Sequence, residues 1–276
     1  MLIGLVGRGI GASRSPMMHQ REAERLNIAC TYALIDFDAA DLPDTALGDV
    51  ISAAEGFGFA GLNVTHPFKQ AVLAHTTELA AEATAIGAVN TLVFRAGGRS
   101  GHNTDSWGFA ESFRRDMAGC SLASVLLYGA GGGGAAVGHA LLDLGAETLI
   151  VHDADHERAG RLAASLALRF GRPVDTAADA VTAVGTASGI VNATPVGMAK
   201  YPGTPFDPNR LAATQWVADI VYFPALTELL AAASARGCRT LPGTGMAIFQ
   251  AVRAFELFTG IAPDSDAMAR HFEAAA

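Results

Sequence analysis

The chain has few cysteines and few basic residues, and both shortages narrow what it can be. Its three cysteines, Cys30, Cys120 and Cys238, are widely spaced and odd in number, which excludes a readable disulfide framework or CxxC metal site. Lys and Arg number 19 against 27 Asp and Glu, so the formal net charge is -8. Because nucleic acids and anionic membranes bind basic patches, we expect neither as a partner and expect a small molecule instead.

Long apolar runs and clustered metal ligands are also lacking. No segment approaches the roughly 18 apolar residues of a membrane span, and the first seven residues have no basic flank typical of a signal peptide. The histidines are scattered without the paired spacing of a ligand set, so we expect no metal. Unpaired cysteines suit a reducing compartment, and we expect a cytoplasmic protein that is either a monomer or a homodimer.

Apolar patterning alternates in type along the first hundred residues. The 276-residue chain exceeds the common single-domain size of about 100 to 150 residues, which favours two domains. Short apolar runs predict strands at residues 2–6, 32–36, 61–64 and 89–94. Longer periodic stretches predict helices at residues 16–26, 45–54 and 67–86. This alternation predicts an N-terminal α/β domain.

The second half of the chain repeats a simpler strand-helix alternation. Strands are predicted at residues 124–128, 148–152, 189–192 and 216–221, and helices at residues 106–117, 135–144 and 157–170. A further helix at residues 245–258 follows a turn cluster that begins at Pro242. Alternating strands and helices predict a doubly wound parallel sheet, the Rossmann arrangement.

A glycine-rich turn follows the first strand of this second half. Residues 129–134 read Gly-Ala-Gly-Gly-Gly-Gly, which satisfies G-x-G-x-x-G directly before a predicted helix. Gly129 permits the tight turn, Gly131 lets the backbone approach a pyrophosphate, and Gly134 allows close packing of the helix. No Lys-Ser or Lys-Thr pair follows, which excludes a mononucleotide P-loop. The motif predicts dinucleotide binding.

An acidic residue stands at the end of the next predicted strand. Asp153 occupies the place where this fold puts the carboxylate that accepts hydrogen bonds from the adenosine ribose. It would repel a 2′-phosphate by roughly 1 to 4 kcal/mol at about 4 Å, so we expect NAD in preference to NADP. Arg158 could reach the same ribose and soften this preference, and an exposed helix cap is the alternative role for Asp153.

Polar residues also follow the predicted strands of the first half. Asn63, Thr65 and Lys69 lie at a strand end and the start of the next element, and Asp105 lies at a later strand-to-helix junction. Open α/β sheets bind ligands at the carboxyl ends of their strands. Lysine and aspartate could therefore face one cleft, although helix capping is an alternative role for Asp105.

Together these motifs resemble the shikimate dehydrogenase family. The chain contains a Ser-x-Ser-Pro turn at residues 13–16, an Asn-Val-Thr-x-Pro-x-Lys segment at 63–69, an Asn-Thr-Asp-x-x-Gly segment at 103–108 and the glycine-rich turn, in the family's order. The resemblance extends to residues 192–198, 219–222 and 243–250. It implies a substrate-binding and catalytic domain at residues 1–106, completed by the C-terminal helices at 245–276, and a dinucleotide-binding domain at 107–244.

The resemblance also implies roles for individual residues. Lys69 would be catalytic with Asp105 as its partner, since an amine beside a carboxylate can relay the proton of a reacting hydroxyl. Substrate carboxylate would bind Ser13 and Ser15, which could otherwise cap the following helix, and substrate hydroxyls would bind Asn63, Thr65, Asn90, Tyr222 and Gln250. The implied cofactor contacts are Gly129, Ala130, Gly131, Gly132, Gly133, Gly134, Asp153, Arg158, Asn192, Ala193, Thr194, Pro195, Val221, Gly243 and Met246.

Two departures from the family pattern leave the substrate open. His152-Asp153-Ala154 lacks the arginine usual in NADP-using members and is similar to NAD-linked members that also oxidise quinate. Arg14 replaces the leucine usual in biosynthetic members, yet Ser15 remains where quinate users often have threonine. Shikimate and quinate thus both remain candidates. An aminoshikimate or other polyol dehydrogenase, and a non-catalytic protein that senses NAD and a shikimate-like ligand, are the alternatives.

Overall fold

A computed structural model describes residues 1–177 and 179–274 and divides the chain into two compact units. Unit 1 comprises Met1–Thr104 and Ile248–Ala276, and unit 2 comprises Asp105–Ala247. Each unit contains one six-stranded sheet. The predicted two-domain α/β class, with a parallel Rossmann sheet in one domain, is therefore confirmed.

Unit 1 begins with an α/β segment that carries most of its strands. Its elements are β1 (Leu2–Gly7), α1 (Ser15–Arg25), β2 (Thr31–Asp36), α2 (Leu47–Gly56), β3 (Gly61–Val64), β4 (Glu78–Leu79), α3 (Ala81–Ile86), β5 (Thr91–Arg95) and β6 (Gly98–His102). The sheet order is β2-β1-β3-β5-β6-β4. β1 pairs in parallel with β2 and β3, whereas β5 runs antiparallel to β3 and β6.

The carboxyl ends of β1, β2 and β3 consequently lie along one edge of the unit 1 sheet. Its buried core includes Val6, Leu62 and Leu92 from the sheet and Ile51 from α2. Glycine at position 61 is required by close packing, because a Cβ there would lie 2.3 Å from the Leu92 carbonyl oxygen. The apolar runs of β1, β3 and β5 form strands because their side chains are buried on both faces, whereas the edge strand β2 is mostly half-buried or exposed.

The predicted helix at residues 67–86 is wrong. The segment contains a short 3-10 helix (Ala71–His75), then β4 and then α3. Thr77 leaves the helical path because its N–H donates to the Arg99 carbonyl and its hydroxyl accepts from the Arg99 N–H, at 2.9 and 2.8 Å. Glu78 and Leu79 then pair with β6. Pairing with a strand some twenty residues away outweighed the helical propensity of this alanine-rich stretch.

Unit 2 contains the elements of the second half of the chain. They are α4 (Thr104–Asp116, from Asp105 onward), β7 (Ser124–Tyr128), α5 (Gly132–Asp143), β8 (Thr148–His152), α6 (His156–Phe170), β9 (Val174–Thr176), α7 (Ala180–Thr186), β10 (Gly189–Asn192), β11 (Trp216–Asp219), α8 (Glu228–Ala235) and β12 (Arg239–Leu241). The sheet is parallel throughout, in the order β12-β11-β10-β7-β8-β9.

The unit 2 sheet has a topological switch point between β7 and β10. Chain order proceeds from β7 to β9 on one side and from β10 to β12 on the other, which is the doubly wound arrangement. Apolar residues pack on both faces, with Leu127 and Val191 in one cluster and Leu126 and Ile190 in the other. Ligands of such sheets bind outside the carboxyl ends of the strands at this point.

Two helices end the chain, α9 (Gly243–Thr259) and α10 (Ser265–Glu273). The boundary between the units falls within α9, after Ala247. In unit 1, Phe258 of α9 packs with Ile3 and Tyr32, and α10 is capped by the Asp264 carboxylate. Among residues 1–177 and 179–274, no helix is both long and apolar enough to cross a membrane.

Candidate active site

A chain of buried polar side chains crosses the unit 1 sheet near the carboxyl end of β3. Tyr32 donates its hydroxyl hydrogen to Asn63 Oδ1 at 2.8 Å, and Asn63 Nδ2 donates to Thr91 Oγ1 at 3.1 Å. Thr91 Oγ1 in turn donates to Asn90 Oδ1 at 3.1 Å. The Thr104 N–H donates to the same Asn90 oxygen at 2.8 Å. The sequence identified the two asparagines but missed the residues that hold them.

The direction of this chain is fixed by its end at Thr104. A backbone N–H can only donate, so Asn90 must turn Oδ1 towards it and Nδ2 towards the Thr104 hydroxyl, 2.9 Å away. Asn90 Oδ1 then accepts from the Thr91 hydroxyl and the Thr104 N–H, with the Thr104 hydroxyl also 3.2 Å away, and one Nδ2 hydrogen remains. Asn63 Oδ1 accepts only from Tyr32 and retains a lone pair. These two amides can therefore donate to and accept from a ligand hydroxyl.

Two serines predicted to bind a carboxylate stand where the loop after β1 meets α1, Ser13 in the loop and Ser15 as the first residue of the helix. Ser13 Oγ accepts from the Ser15 N–H at 3.3 Å, and Pro16 occupies the first turn of α1. The Asp36 carboxylate, at the end of β2, accepts from the N–H groups of Gly9 and Ile10, each at 2.9 Å. Although burial raises the pKa of Asp36, backbone hydrogen bonds hold it below its usual value. This anchor fixes the start of the serine loop.

Arg14, between the two serines, contacts the C-terminal helix. Its guanidinium donates to the Phe272 carbonyl at 3.1 Å and lies 4.9 Å from the centroid of the Phe272 ring. A cation at the last turn of α10 also interacts favourably with the helix dipole. The serine turn is thus attached to α10 within unit 1.

The remaining predicted catalytic and substrate residues occupy both units. Lys69 and Thr65 lie in unit 1 after β3, and both are partly exposed. Gln250 lies on the unit 1 part of α9 and is also partly exposed. Asp105 is buried in the first turn of α4 and Tyr222 is exposed after β11, both in unit 2.

The glycine-rich turn of unit 2 connects β7 to the first turn of α5. Gly129 has a φ of +99°, and a Cβ there would lie 2.7 Å from the Ala193 carbonyl oxygen. A Cβ on Gly134 would lie 1.9 Å from the Gly129 oxygen, so helix and turn approach too closely for any side chain. Gly131 instead faces open space, and Gly132 and Gly133 begin α5. A helix N-terminus beside an uncovered glycine fits a pyrophosphate.

Asp153 follows β8 and is 7% exposed. Oδ2 accepts from the Ala130 N–H at 2.7 Å and Oδ1 from the Asp155 N–H at 2.9 Å. Arg158 places its guanidinium against both oxygens, with Nη2 2.7 Å from Oδ1. Burial alone would raise the pKa of Asp153, but hydrogen bonds from Arg158, Ala130 and Asp155 lower it below its usual value. The carboxylate is therefore ionised and directly attached to the glycine turn.

The loop after β10 is organised by the side chain of Asn192. Its Nδ2 donates to the Asp219 carboxylate at 3.0 Å and to the Val196 carbonyl at 2.9 Å. Its Oδ1 accepts from the N–H and hydroxyl of Thr194, at 3.0 and 2.6 Å. All four hydrogen-bonding positions of this amide are used, so Asn192 holds the loop rather than offering its side chain to a ligand.

The other predicted cofactor residues surround the carboxyl ends of β10 and β11. Ala193 continues the sheet by donating to the Tyr128 carbonyl at 2.7 Å, and Pro195 follows Thr194 in the loop. The Val221 N–H donates to Asp219 Oδ1 at 3.0 Å. At the start of α9, Met246 is buried in the unit 2 core and Gly243 approaches the Ile220 carbonyl, which a Cβ would meet at 2.4 Å.

Metal ligands do not form a cluster in the part of the chain that the structure describes. Asp219 is the functional candidate that sequence reasoning missed, although an acidic residue at the end of an apolar strand could have signalled it. Tyr32, Thr91 and Thr104 gave no such signal, because their role depends on contacts with residues far away in sequence.

The chain is similar to known proteins over nearly its whole length. A family model described as the shikimate dehydrogenase substrate binding domain matches residues 5–92, and one described as the shikimate 5′-dehydrogenase C-terminal domain matches residues 243–271. The shikimate dehydrogenase (NADP(+)) of Streptomyces avermitilis is 51% identical over 267 residues, which cover 96% of this chain and 92% of the relative. The quinate/shikimate dehydrogenase (NAD(+)) of Corynebacterium efficiens is 45% identical over 276 residues, covering 99% and 97%.

A solved structure is similar over the whole chain. The quinate dehydrogenase from Corynebacterium glutamicum in complex with NAD superposes with a TM-score of 0.94 at 44% identity, covering 99% of each chain. The named relatives thus differ in cofactor, since one name carries NADP(+) and two carry NAD.

Proposed function

Because the chain belongs to the shikimate dehydrogenase family, we propose that it oxidises a ring hydroxyl of shikimate or quinate with NAD in preference to NADP. Membership makes it an oxidoreductase of the shikimate/quinate dehydrogenase class that uses a pyridine nucleotide. We assign substrate binding and catalysis to unit 1 with Asp105, and dinucleotide binding to unit 2.

The observation that carries the NAD preference is the buried Asp153 carboxylate. It is attached to the Ala130 N–H of the glycine turn and stays ionised, so the adenosine ribose would meet a fixed negative charge. Ribose hydroxyls can donate to that charge, whereas a 2′-phosphate is repelled by it. Arg158 neutralises part of the charge, since its guanidinium lies against the carboxylate, and this limits the preference.

The proposed chemistry divides a hydride and a proton between two groups. Bound NAD supplies the acceptor for the hydride. Lys69 takes the proton of the reacting hydroxyl during oxidation and returns it during reduction, and Asp105 stabilises the resulting ammonium. The expected contribution of such proton transfer is about 10²- to 10⁴-fold in rate.

Substrate orientation would come from the polar groups of unit 1. Ser13 and Ser15 bind the ring carboxylate as hydroxyl donors. The spare N–H of Asn90 and the spare lone pair of Asn63 contact ring hydroxyls, with Thr65 beside them. Gln250 and, in unit 2, Tyr222 complete the proposed substrate contacts.

Steady-state kinetics with NAD and NADP, each with shikimate and with quinate, tests the proposal. For the preferred substrate we expect kcat/KM with NAD to exceed that with NADP by about tenfold or more, as a repulsion above 1.4 kcal/mol requires. In Asp153→Ser the ratio should move towards NADP, because the charge is lost and Arg158 becomes available to a phosphate.

Asp155→Asn is the matched control. It also removes one negative charge near the glycine turn, but asparagine keeps the helix cap on the Arg158 N–H, so the cofactor ratio should stay unchanged. Equal efficiency of wild-type protein with NAD and NADP would refute the NAD preference. Absence of turnover in all four combinations would refute the assignment of shikimate and quinate as substrates.

A further inference from the structure

Asp219 is a buried carboxylate at the carboxyl end of β11, in the sheet that carries the glycine-rich turn. Its relative exposure is 1%. In the described part of the chain it forms no salt bridge, so its charge is balanced only by hydrogen bonds from Asn192, Val221 and Thr227. A buried charge without a counter-ion is costly, and such groups persist where they hold other groups in place.

Three donors from three segments converge on this carboxylate. Oδ1 accepts from Asn192 Nδ2, at the end of β10, and from the Val221 N–H, in the loop after β11, each at 3.0 Å. Oδ2 accepts from the Thr227 hydroxyl at 2.8 Å, and Thr227 caps α8 by accepting from the Leu230 N–H. One side chain therefore joins two neighbouring loops and a helix start.

The bond to Asn192 reaches further into the loop after β10. Because the carboxylate accepts only, Asn192 must turn its Nδ2 towards Asp219 and its Oδ1 towards Thr194. Thr194 Oγ1 then accepts from the Val196 N–H at 3.2 Å. Loop residues 192–196 thus take their hydrogen-bonding pattern from a carboxylate on the adjacent strand.

We propose that Asp219 is a positioning residue for the dinucleotide, which presets the loops at 192–196 and 220–222 without touching the cofactor. The inference rests on the proposed function, since it takes these loops to be cofactor-binding. Two loops that are ordered before binding need not lose conformational entropy on binding, and this strengthens affinity. The carboxylate acts through Asn192 on one side and through the Val221 N–H on the other.

The test is equilibrium binding of NADH, followed by its fluorescence without any substrate. Asp219→Ala and Asn192→Ala should each weaken NADH binding about tenfold. This corresponds to roughly the net free energy of one hydrogen bond that keeps the loop ordered. The double variant should be little weaker than either single variant, because both remove the same link. Asp219→Asn keeps an oxygen acceptor for Asn192 and Val221 and should restore affinity to within about threefold.

Gln215→Ala is the matched control. Gln215 is 5% exposed and lies just before the amino end of β11. It makes three hydrogen bonds of its own, to the carbonyls of Val184 and Ala187 and from the Ala212 N–H, at 2.7 to 2.9 Å. Its loss should lower stability without changing NADH affinity, which separates positioning of the loops from general damage to unit 2.

Three outcomes would overturn the inference. These are unchanged affinity in Asp219→Ala, fold-losses that multiply in the double variant, and an equal loss in the Gln215→Ala control. If Asp219→Ala does not fold, Asn192→Ala and Thr227→Val decide the matter. Thr227 donates only to Asp219 Oδ2, which does not contact Asn192 or Val221, so Thr227→Val should keep its affinity for NADH. Equal losses of NADH affinity in Asn192→Ala and Thr227→Val would refute the inference. Failure of wild-type protein to bind NADH would instead refute the proposed function.

Discussion

The pH dependence of stability should change when Asp219 is replaced by asparagine. Burial raises the pKa of Asp219 from 3.8 to about 6, against hydrogen bonds from Val221, Thr227 and Asn192 that lower it. The folded protein therefore holds this proton more tightly than the unfolded chain does. The stabilisation from that proton is complete below about pH 3.8 and is lost as the pH rises through about 6.

The size of this effect follows from the two pKa values. Each pKa unit corresponds to about 1.4 kcal/mol, so a rise from 3.8 to about 6 gives at most about 3 kcal/mol. About 2 kcal/mol of that change falls between pH 4 and pH 8. Asparagine has nearly the same shape and does not titrate. The stability of wild-type protein minus that of Asp219→Asn should thus fall by about 2 kcal/mol over this range.

Urea unfolding between pH 4 and pH 8 measures the difference, with Trp216 as the fluorescent probe. Trp216 is buried in unit 2 on the same strand as Asp219. The chain has two tryptophans, so both proteins would carry Trp107→Phe to leave Trp216 alone. A probe within unit 2 is needed because a protein of two units need not unfold in one step.

A constant stability difference between the two proteins at every pH would refute the argument. Any constant loss from the altered bond to Thr227 shifts the two curves without changing their slopes, so only the slope is diagnostic. Titration of 13Cγ-labelled aspartates gives a second measurement. The resonance that disappears in Asp219→Asn should titrate near pH 6 in wild-type protein, and a midpoint near 4 would contradict the burial argument.

Three further predictions concern unit 1. Lys69→Ala should lower kcat about 10²- to 10⁴-fold with little change in NADH affinity. Lys200→Ala removes the only other lysine and should leave both kcat and NADH affinity unchanged. Near-normal turnover in Lys69→Ala would remove Lys69 from the mechanism. Tyr32→Phe leaves Asn63 Oδ1 unpaired, so it should destabilise the protein by about 1 to 3 kcal/mol and raise the KM for the ring substrate but not for NAD. Tyr128→Phe, in unit 2, is the kinetic control. An equal KM for the ring substrate in wild type and Tyr32→Phe would contradict the hydrogen-bond network. His19 is fully buried without a hydrogen-bond partner, and burial lowers its pKa from 6.5 to about 3. Stability present above pH 6.5 should therefore be lost as the pH falls, by about 3 kcal/mol at pH 4. Urea unfolding of His19→Leu should lack this loss, and an equal loss of stability towards acid pH in wild type and His19→Leu would refute the prediction.

The fold was predictable where apolar patterning is local. The strands β1, β3, β7, β8 and β10 were each predicted within one residue of their ends, because every one is a short run of buried apolar side chains. The prediction failed at residues 67–86, where an alanine-rich stretch looks helical and pairing with β6 decides its conformation. β6 itself was missed because Gly-Arg-Ser-Gly-His carries no apolar alternation.

The end of β11 shows a smaller failure of the same kind. The strand was predicted to continue to Val221, as the apolar residues Ile220 and Val221 suggest. It ends at Asp219, whose carboxylate accepts the Val221 N–H and turns the chain out of the sheet. A side-chain acceptor that captures a backbone donor competes with the ladder, and residue type alone does not reveal this.

Hydrogen-bonding capacity separates the asparagines that the motifs could not tell apart. All three stand near strand ends and the resemblance gives all three a ligand. Asn192 uses every donor and acceptor position within the protein, whereas Asn90 keeps one N–H and Asn63 one lone pair. A ligand can therefore form hydrogen bonds directly with Asn63 and Asn90. Asn192 can affect a ligand only indirectly, through the loop that its side chain orders. Motifs in the sequence therefore predict which residues lie at a site. Hydrogen-bond partners from distant segments decide whether each residue binds the ligand or holds other residues in place.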